Sequence, residues 1–528
     1  MTEKISPIAL EIFKNKFSSI AEEMGVALFK TAFSPNIKER KDHSCAIFDK
    51  NGDMIAQAAH IPVHLGSMPL SVKSAISHVS INKGDMVFLN DPYLGGTHLP
   101  DITVVAPVFI DDEILFYVAN RAHHADIGGI SAGSMPLSST IFQEGMIIPP
   151  IKLVKKGELQ KDILKLVISN VRTPIERQGD FEAQIMANIT GIKRLAELSH
   201  THGKNKMSLL SKKLIEYSEN MMRKTIQAIP DGEYDFVDYL DDDGFDTKKI
   251  NINAMITIKN DKVVVDFTET HKQVTGSVNA VKAITISAIL YVFRSLVKED
   301  IPTNAGCLRP IETIIPEGTV VNAKYPCAVA GGNVETSQRI VDVLLGALSK
   351  AVPDVIPAAS QGTMNNLSIG GFDKSKGKSF TYYETIGGGT GASKYGNGES
   401  GIHSHMTNTM NTPIESIEFE YPLRVMKYRI NRDSGGKGKN NGGDGIIREI
   451  KVLCSAETTI LSERRIFKPY GLNGGSTGKA GINKIMSGDK VRKLPGKFHQ
   501  FLKKNDIIHI ETPGGGGYGK NMKFKLNK

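Results

Sequence analysis

No stretch of this 528-residue chain approaches the roughly 18–20 consecutive apolar residues that a membrane-spanning helix needs. The opening segment MTEKISPIALEIFKNKF carries charges throughout and lacks the apolar core of a secretory leader. The expectation is a soluble, cytoplasmic protein with no membrane partner. Cysteine is scarce: Cys45, Cys307, Cys327 and Cys454 lie far apart, and no CxxC pair occurs. That argues against a thiolate zinc knot and leaves reduced, mostly buried thiols as the simple reading. A GxSxG elbow is missing, and no cysteine sits in a nucleophile's setting, so covalent acyl transfer is disfavoured. A phosphate loop is missing too. GKS at 377–379 would need a glycine five residues before Gly377, and that position is Phe372. The flanks of GKS suggest a polar hairpin instead. The dinucleotide fingerprint fares no better: only nine residues follow GGGGYG at 514–519, too few for a βαβ unit. Gly387, Gly389 and Ala392 match a looser GxGxxA, but SKYGNGESG after them is a poor helix. Strong charge bias is absent as well. The net charge of +9 is mild for this length, and only the tail KNMKFKLNK is locally basic. Without a basic stripe interleaved with aromatics, no nucleic-acid partner is expected.

What is there is ordinary globular composition, 40% apolar and 23% charged, enough for two to four domains and a core that needs no disulfide. The one oddity is 51 glycines, crowded towards the C-terminal half. Strand-like segments separate them, which predicts tight turns and close backbone approaches rather than a linker. Apolar residues at Ile12, Phe13, Phe17, Ile20, Ala21, Met24 and Leu28 have helical spacing, so an amphipathic helix opens the chain. Residues 43–130 read as strand-rich, beginning with a hairpin SCAIFD–NGD–MIAQAA. Residues 181–228 read as two helices broken near THGKN, strands return over 232–270, and 279–298 and 335–351 read as buried helices. The fold class expected is α+β: mixed sheets with a strand-rich region, a central helical region and a Gly-rich, β-rich C-terminal region. Boundaries are expected near 230 and 355, giving regions 1–230, 231–355 and 356–528.

The strongest chemical signal is NDPYLGGTHLPD (90–101) followed by NRAHHADIGG (120–129). ITVVAPVFI and EILFYVAN are strands joined by Asp111-Asp112. An antiparallel hairpin about that turn sets Asp101 opposite Ala122 and Pro100 opposite His123. His98 and Asp101 then enter the first strand beside His123 and His124, which leave the second. Imidazoles and a carboxylate at one hairpin end suit a divalent transition metal, with Mn, Fe and Zn all admissible. Asp91, His124 and Asp126 lie near enough to orient a ligand imidazole. Gly95, Gly96, Gly128 and Gly129 would let the backbone pass closely around an ion. The plain alternative is a polar hairpin end with hydrogen-bonded histidines. Weaker polar knots occur at His43, His60 and His64, and at His403 and His405, two apart as on one strand face. GGNVETSQR (331–339) opens a helix near Glu335, where an anion could sit or where Glu335 and Thr336 simply serve the first turn.

These segments carry a resemblance. NDPYLGGTHLPDITVVAPVF, ANRAHHADIGGISAGSMP, QEGMIIPPIKL, GNVETSQRI, YYETIGGGTGA, HMTNTMNTPIE and TPGGGGYG are similar to the hydantoinase B/oxoprolinase family, over about residues 5–519. The resemblance implies a subunit that works with a larger A-type partner, which holds the nucleotide site and uses the ATP. It implies a divalent metal on His98, Asp101 and His123, by analogy with ketone-carboxylase members. It implies a cyclic amide substrate, a hydantoin or 5-oxoproline, activated by phosphorylation on the partner and hydrolysed here. His124, Asp126 or Asp91 would then accept the proton. A hetero-oligomer follows. The alternatives are an alpha subunit of an ATP-dependent ketone carboxylase and a non-catalytic scaffold subunit.

Overall fold

The computed structural model describes residues 6–59 and 61–520, so His60 and most of the basic tail lie outside the described residues. Helix α1 (Pro7–Thr31) begins where Ser6 accepts a hydrogen bond from Ala9 N and Pro7 supplies a preset first-turn φ. It buries Phe13, Phe17, Ile20, Ala21, Met24 and Leu28, while Ile12 stays exposed. A short turn of helix α2 (Pro35–Lys38) leads into strand β1 (His43–Asp49), which pairs with β2 (Met54–Ala59) as the expected hairpin. Then come α3 (Met68–His78), β3 (Met86–Leu89), β4 (Asp101–Ile110), β5 (Glu113–His123), β6 (Ile151–Lys155) and β7 (Glu158–Leu159). Together the strands form a seven-stranded antiparallel sheet in the order β2-β1-β5-β4-β3-β6-β7.

Strand alternation gives this sheet two different faces. Cys45, Ile47, Ile102, Val104, Val118 and Ala122 face one way, into the core shared with Phe17 of α1 and with Phe181. Ala46, Phe48, Val105, Tyr117 and Ala119 face the other way, onto Met68, Val72 and Ala75 of α3. Phe181 belongs to the long helix α5 (Pro174–His202), which follows α4 (Lys161–Ile168). Helix α6 (Lys204–Gln227) follows α5 after a single residue, Gly203, whose φ of +82° few side chains tolerate. The break falls at the expected THGKN.

Asp111 and Asp112 both have positive φ, 48° and 64°, as a two-residue hairpin turn demands. The register starts as expected, with Ile110 opposite Glu113, but a bulge between Val108 and Phe109 shifts it by one. Asp101 therefore pairs with His123, and Ala122 pairs with Ile102. Since adjacent strand residues point to opposite faces, the shift decides which histidine joins the carboxylate.

A second sheet of four strands (Gly232–Asp242, Lys248–Lys259, Lys262–Asp266 and Ile311–Ile314) is followed by two more sheets of four and five strands between Asn366 and Glu511. Helix α7 (Lys282–Leu296) and helix α8 (Ser337–Ala351) are buried, and α8 opens through a π-turn at Gly332–Thr336. The largest apolar core draws residues from Phe13 to Leu461, a smaller one fills the C-terminal sheets, and a third lies between the first sheet and α3. The glycine crowding has a direct cause at Gly515: a Cβ there would lie 1.9 Å from the Thr390 carbonyl oxygen. Among the described residues no helix is long and apolar enough to cross a membrane.

Candidate metal centre

Asp101 and His123 sit opposite each other at the end of the β4–β5 ladder, on the face turned towards α3. His98 comes from the turn before β4. Its Nδ1 lies 3.1 Å from Asp101 Oδ2, and the His98 and His123 ring centres are 5.1 Å apart. All three side chains are essentially removed from solvent. Asp101 Oδ2 also accepts a hydrogen bond from the Thr97 hydroxyl at 2.6 Å. Burial opposes ionisation of Asp101, yet the nearby His98 and His64 outweigh it and hold the carboxyl well below the usual range. Burial, with His98 beside it, pushes His123 well below an ordinary imidazole, which keeps it neutral and able to act as a ligand.

The rings are held from behind. His123 stacks on Tyr383, with centres 4.7 Å apart and planes 6° from parallel. Asn36 faces His123 Nδ1 at 3.3 Å, and Asn36 Oδ1 accepts from Arg40 Nη1. Asn333, in the π-turn before α8, faces His98 Nε2 at 3.4 Å. Tyr383 OH donates to Asn366 Oδ1, and Asn366 Nδ2 donates to Glu335 Oε1. Burial pushes the Glu335 carboxyl up to about 7. So Glu335 supports a loop rather than an exposed anion site at a helix start. Below Asp101 on the same face, Arg121 is caged by the hydroxyls of Thr103, Ser67 and Ser71 at 2.5–2.8 Å. Burial brings Arg121 down to about 10.

The three residues expected to move protons stand elsewhere. His124, one residue past His123, turns to the opposite face: its Nε2 meets Gln184 Oε1 at 3.0 Å and its ring packs on Phe181. Asp126 binds Arg172 through backbone and side chain, both at 3.0 Å. Asp91 caps the turn before His98 by accepting from Tyr93 N at 2.9 Å. The glycines around them serve backbone crossings: a Cβ on Gly95 would meet the Leu70 carbonyl at 2.6 Å. His403 and His405 are not on one strand face. They lie in a loop, where His405 has a φ of +57° and reaches Tyr291, while His403 faces Thr407 and Thr409.

Burial, with Arg40 near, brings the His403 imidazole down to about 3. Between about 6.5, the ordinary value, and 3 the unfolded chain binds a proton that the folded chain refuses. Stability therefore falls as pH drops through that window, by about 1.4 kcal/mol per pH unit from this group. The difference in unfolding free energy between wild type and His403→Asn is expected to follow that slope below about 6.5 and to be flat above 7.5. Urea unfolding at several pH values checks it. A pH-independent difference would mean that His403 is charged in the folded protein.

A divalent metal is implied by the resemblance, and the donor set can be tested for fit. Among the described residues no group of three or more His, Cys, Asp or Glu is arranged to hold a metal ion as the side chains lie. Yet four buried atoms around one carboxylate have no hydrogen-bond partner: Asp101 Oδ1, His98 Nδ1, His123 Nε2 and His64 Nε2. His98 Nδ1 and His64 Nε2 do contact Asp101 Oδ2, at 3.1 and 3.5 Å, while Asp101 Oδ1 and His123 Nε2 are left without a hydrogen bond, at about 1–3 kcal/mol each, so a shared cation would satisfy the set. Imidazoles with a carboxylate and no thiolate are donors that a borderline divalent ion accepts. The residues fit the group.

Asn36 and Arg40 carry no short motif that singles them out, while Asn333 and Tyr383 lie in GNVETSQRI and YYETIGGGTGA, segments that carried the resemblance without marking them as neighbours of the histidines. The signal for His64 was its place in HIPVHLGSMP, where it stood as a polar knot without a partner.

The fold and this site define an α+β protein with a buried His/Asp cluster at the end of a hairpin. The hydantoinase B/oxoprolinase family model matches residues 6–521, and the chain belongs to that family. It is 45% identical to an uncharacterized protein of Methanocaldococcus jannaschii, covering 98% of this chain and 92% of that one. It is 40% identical to the 5-oxoprolinase of Dictyostelium discoideum, covering 98% of this chain but only 41% of the relative's length. A putative B-type subunit of a D-/L-hydantoinase from a Pseudomonas species is 31% identical over the whole of this chain and 92% of its own. Among solved structures, the ATP-dependent caprolactamase of Pseudomonas jessenii superposes with a TM-score of 0.92 at 27% identity, over 98% of this chain and 92% of that one. Acetone carboxylase superposes at 0.90 with 19% identity, over 97% of this chain and 76% of that one, a likeness of fold alone.

Proposed function

We propose that this chain is the B-type subunit of an ATP-dependent cyclic amidase, with the nucleotide site on a larger A-type partner. The observation that carries the reading is the alignment with two kinds of relative. The same 98% of this chain aligns with 41% of a 5-oxoprolinase, while the whole of it aligns with 92% of a B-type hydantoinase subunit. One family thus holds this unit both alone and as two fifths of a longer polypeptide, and the remainder is where substrate activation would take place. 5-Oxoproline, hydantoins and caprolactam, the substrate classes in the relatives' names, share a ring amide. Such an amide is a poor electrophile and its ring re-closes readily, so phosphorylation of the carbonyl oxygen supplies both a leaving group and a driving force.

His98, Asp101 and His123 would hold a divalent ion, Mn, Fe or Zn. A bound ion would polarise a carbonyl and lower the pKa of a bound water. The chain's own residues would do the rest. Asp101 stays ionised and opposes its charge to the ion. Asn36 and Tyr383 fix the His123 ring, and Asn333 orients His98. The buried setting keeps bulk water out and strengthens each of these interactions. His124, Asp126 and Asp91, proposed from sequence as proton acceptors, act in this reading through the loops and helix they brace rather than on substrate.

An alpha subunit of a ketone carboxylase is the second reading, supported by a fold likeness alone; a scaffold role is the third. The test is phosphate release from ATP by this chain co-purified with an A-type partner. 5-Oxoproline, a hydantoin, caprolactam and acetone are each offered with and without bicarbonate. Turnover of a ring amide without bicarbonate is expected. Turnover that needs both acetone and bicarbonate would sink the amidase reading.

A further inference from the structure

The strand Leu423–Asn431 lies at an edge of the five-stranded sheet and pairs on one side only, with Gly445–Val452. Beyond that ladder, residues 426–430 make no other backbone hydrogen bond among the described residues. All five are exposed, and Met426, Tyr428 and Ile430 are large side chains left 40–45% exposed. Such an edge offers a row of unpaired N–H and C=O groups, which another extended chain matches along its length. At the bulge beside Val425, the Val425 N–H donates to Glu418 Oε1 of α9 (Ile414–Glu420) at 3.0 Å. The edge thus already takes up one carboxylate.

The strand's own charges are all positive. Lys427 is paired with Glu449 at 2.9 Å, but Arg424 and Arg429 form no ion pair among the described residues. Cations on an edge strand discourage pairing with a second copy. Full antiparallel self-pairing here would set Lys427 opposite its copy, with Arg424 and Arg429 close by on both strands. The exposed Met426, Tyr428 and Ile430 go beyond what such protection needs. The strand also adjoins the loops behind the histidines. Tyr428 OH donates to Asn411 Oδ1 at 3.0 Å, Met410 N donates to Arg40 O at 3.0 Å, and Arg40 Nη1 donates to Asn36, which faces His123.

We propose that the strand Leu423–Asn431 is the docking edge for the A-type partner, which adds an extended segment to the sheet with carboxylates opposite Arg424 and Arg429. This rests on the B-type reading and adds to it the surface and the chemistry of the contact. Docking there puts the source of the activated amide beside the loops that hold His123.

The test is hydrogen–deuterium exchange of the full-length chain, alone and with the A-type partner, with the affinity of the pair measured beside it. Amides of residues 424–431 that point away from Gly445–Val452 are expected to exchange fast in the chain alone and about tenfold or more slowly in the complex. Arg424→Glu combined with Arg429→Glu is expected to weaken the complex by about tenfold or more. It is also expected to abolish the fall in association rate that added salt causes in the wild type. A complex that forms without slowing these amides would overturn the inference whether or not the variant folds, and so would unchanged affinity in the folded variant. Slowed exchange in the chain alone that grows with its concentration would mean that a second copy fills the edge, and would overturn it too. These outcomes leave the amidase reading standing. A chain that does not bind the A-type partner would remove the inference, and if the mixture also turns over no ring amide, the amidase reading falls with it.

Discussion

Replacing His98 with alanine is expected to lower ring-amide turnover of the assembled enzyme by about a thousandfold or more. His98 is buried, its Nδ1 stands 3.1 Å from Asp101, and its neighbour Thr97 holds the same carboxylate oxygen. Losing the imidazole removes a proposed ligand and leaves the buried Asp101 charge with one less partner. Lewis-acid polarisation is worth several kcal/mol, and each 1.36 kcal/mol is tenfold in rate, so the loss of about 4 kcal/mol gives that factor. Coupled phosphate release and elemental analysis read the rate and the metal together. His98→Gln keeps volume and polarity, so it separates lost chemistry from lost packing. Turnover within threefold of wild type in a folded His98→Ala complex would return the chain to the scaffold reading.

The largest expected effect on stability lies elsewhere, at Arg464. Its guanidinium is fully buried and binds Asp238 at 2.7 Å, and it also bonds Asp342 on α8. Arg339 shares both carboxylates. Lys497 and Glu463 form a further buried pair beside them, with Glu463 also facing Arg339. These charges tie the Gly232–Asp242 strand, α8 and the C-terminal sheets together. Burial disfavours the Arg464 charge, but Asp238 and Asp342 outweigh it and raise its pKa above the ordinary value. Removing one member of such a set strands the others in a poorly polarisable interior, at about 3–5 kcal/mol. Arg464→Leu is expected to cost that much in urea unfolding. A cost under 1 kcal/mol would mean that water reaches the carboxylates.

The helices were legible because their periodicity is long and their stops are chemical: α1 shows its buried stripe, and Gly203 marks the break between α5 and α6. The β4–β5 hairpin was legible from alternation and the Asp-Asp turn. Its register was not, because a bulge at Val108–Phe109 leaves no mark in residue type and moves every pairing beyond it by one. That single residue places His124 on Gln184 and His123 on Tyr383. The neighbours of His98 and His123 were hidden for another reason. Asn333 and Tyr383 lie more than 200 residues away in the chain, and only tertiary packing brings them in. His403 and His405 misled because a two-residue spacing implies one face only when the backbone is extended. Here the backbone turns through a positive φ at His405.

The central claim is that the cluster around Asp101 is a metal centre serving the reaction. The most direct test is elemental analysis of the purified chain and of Asp101→Ala, after dialysis, beside their turnover rates with the A-type partner. One divalent ion per wild-type chain is expected, with less than a tenth of that in Asp101→Ala and turnover lost in proportion. A wild type that turns over a ring amide at full rate while holding no metal, and in a metal-free buffer, would contradict the account.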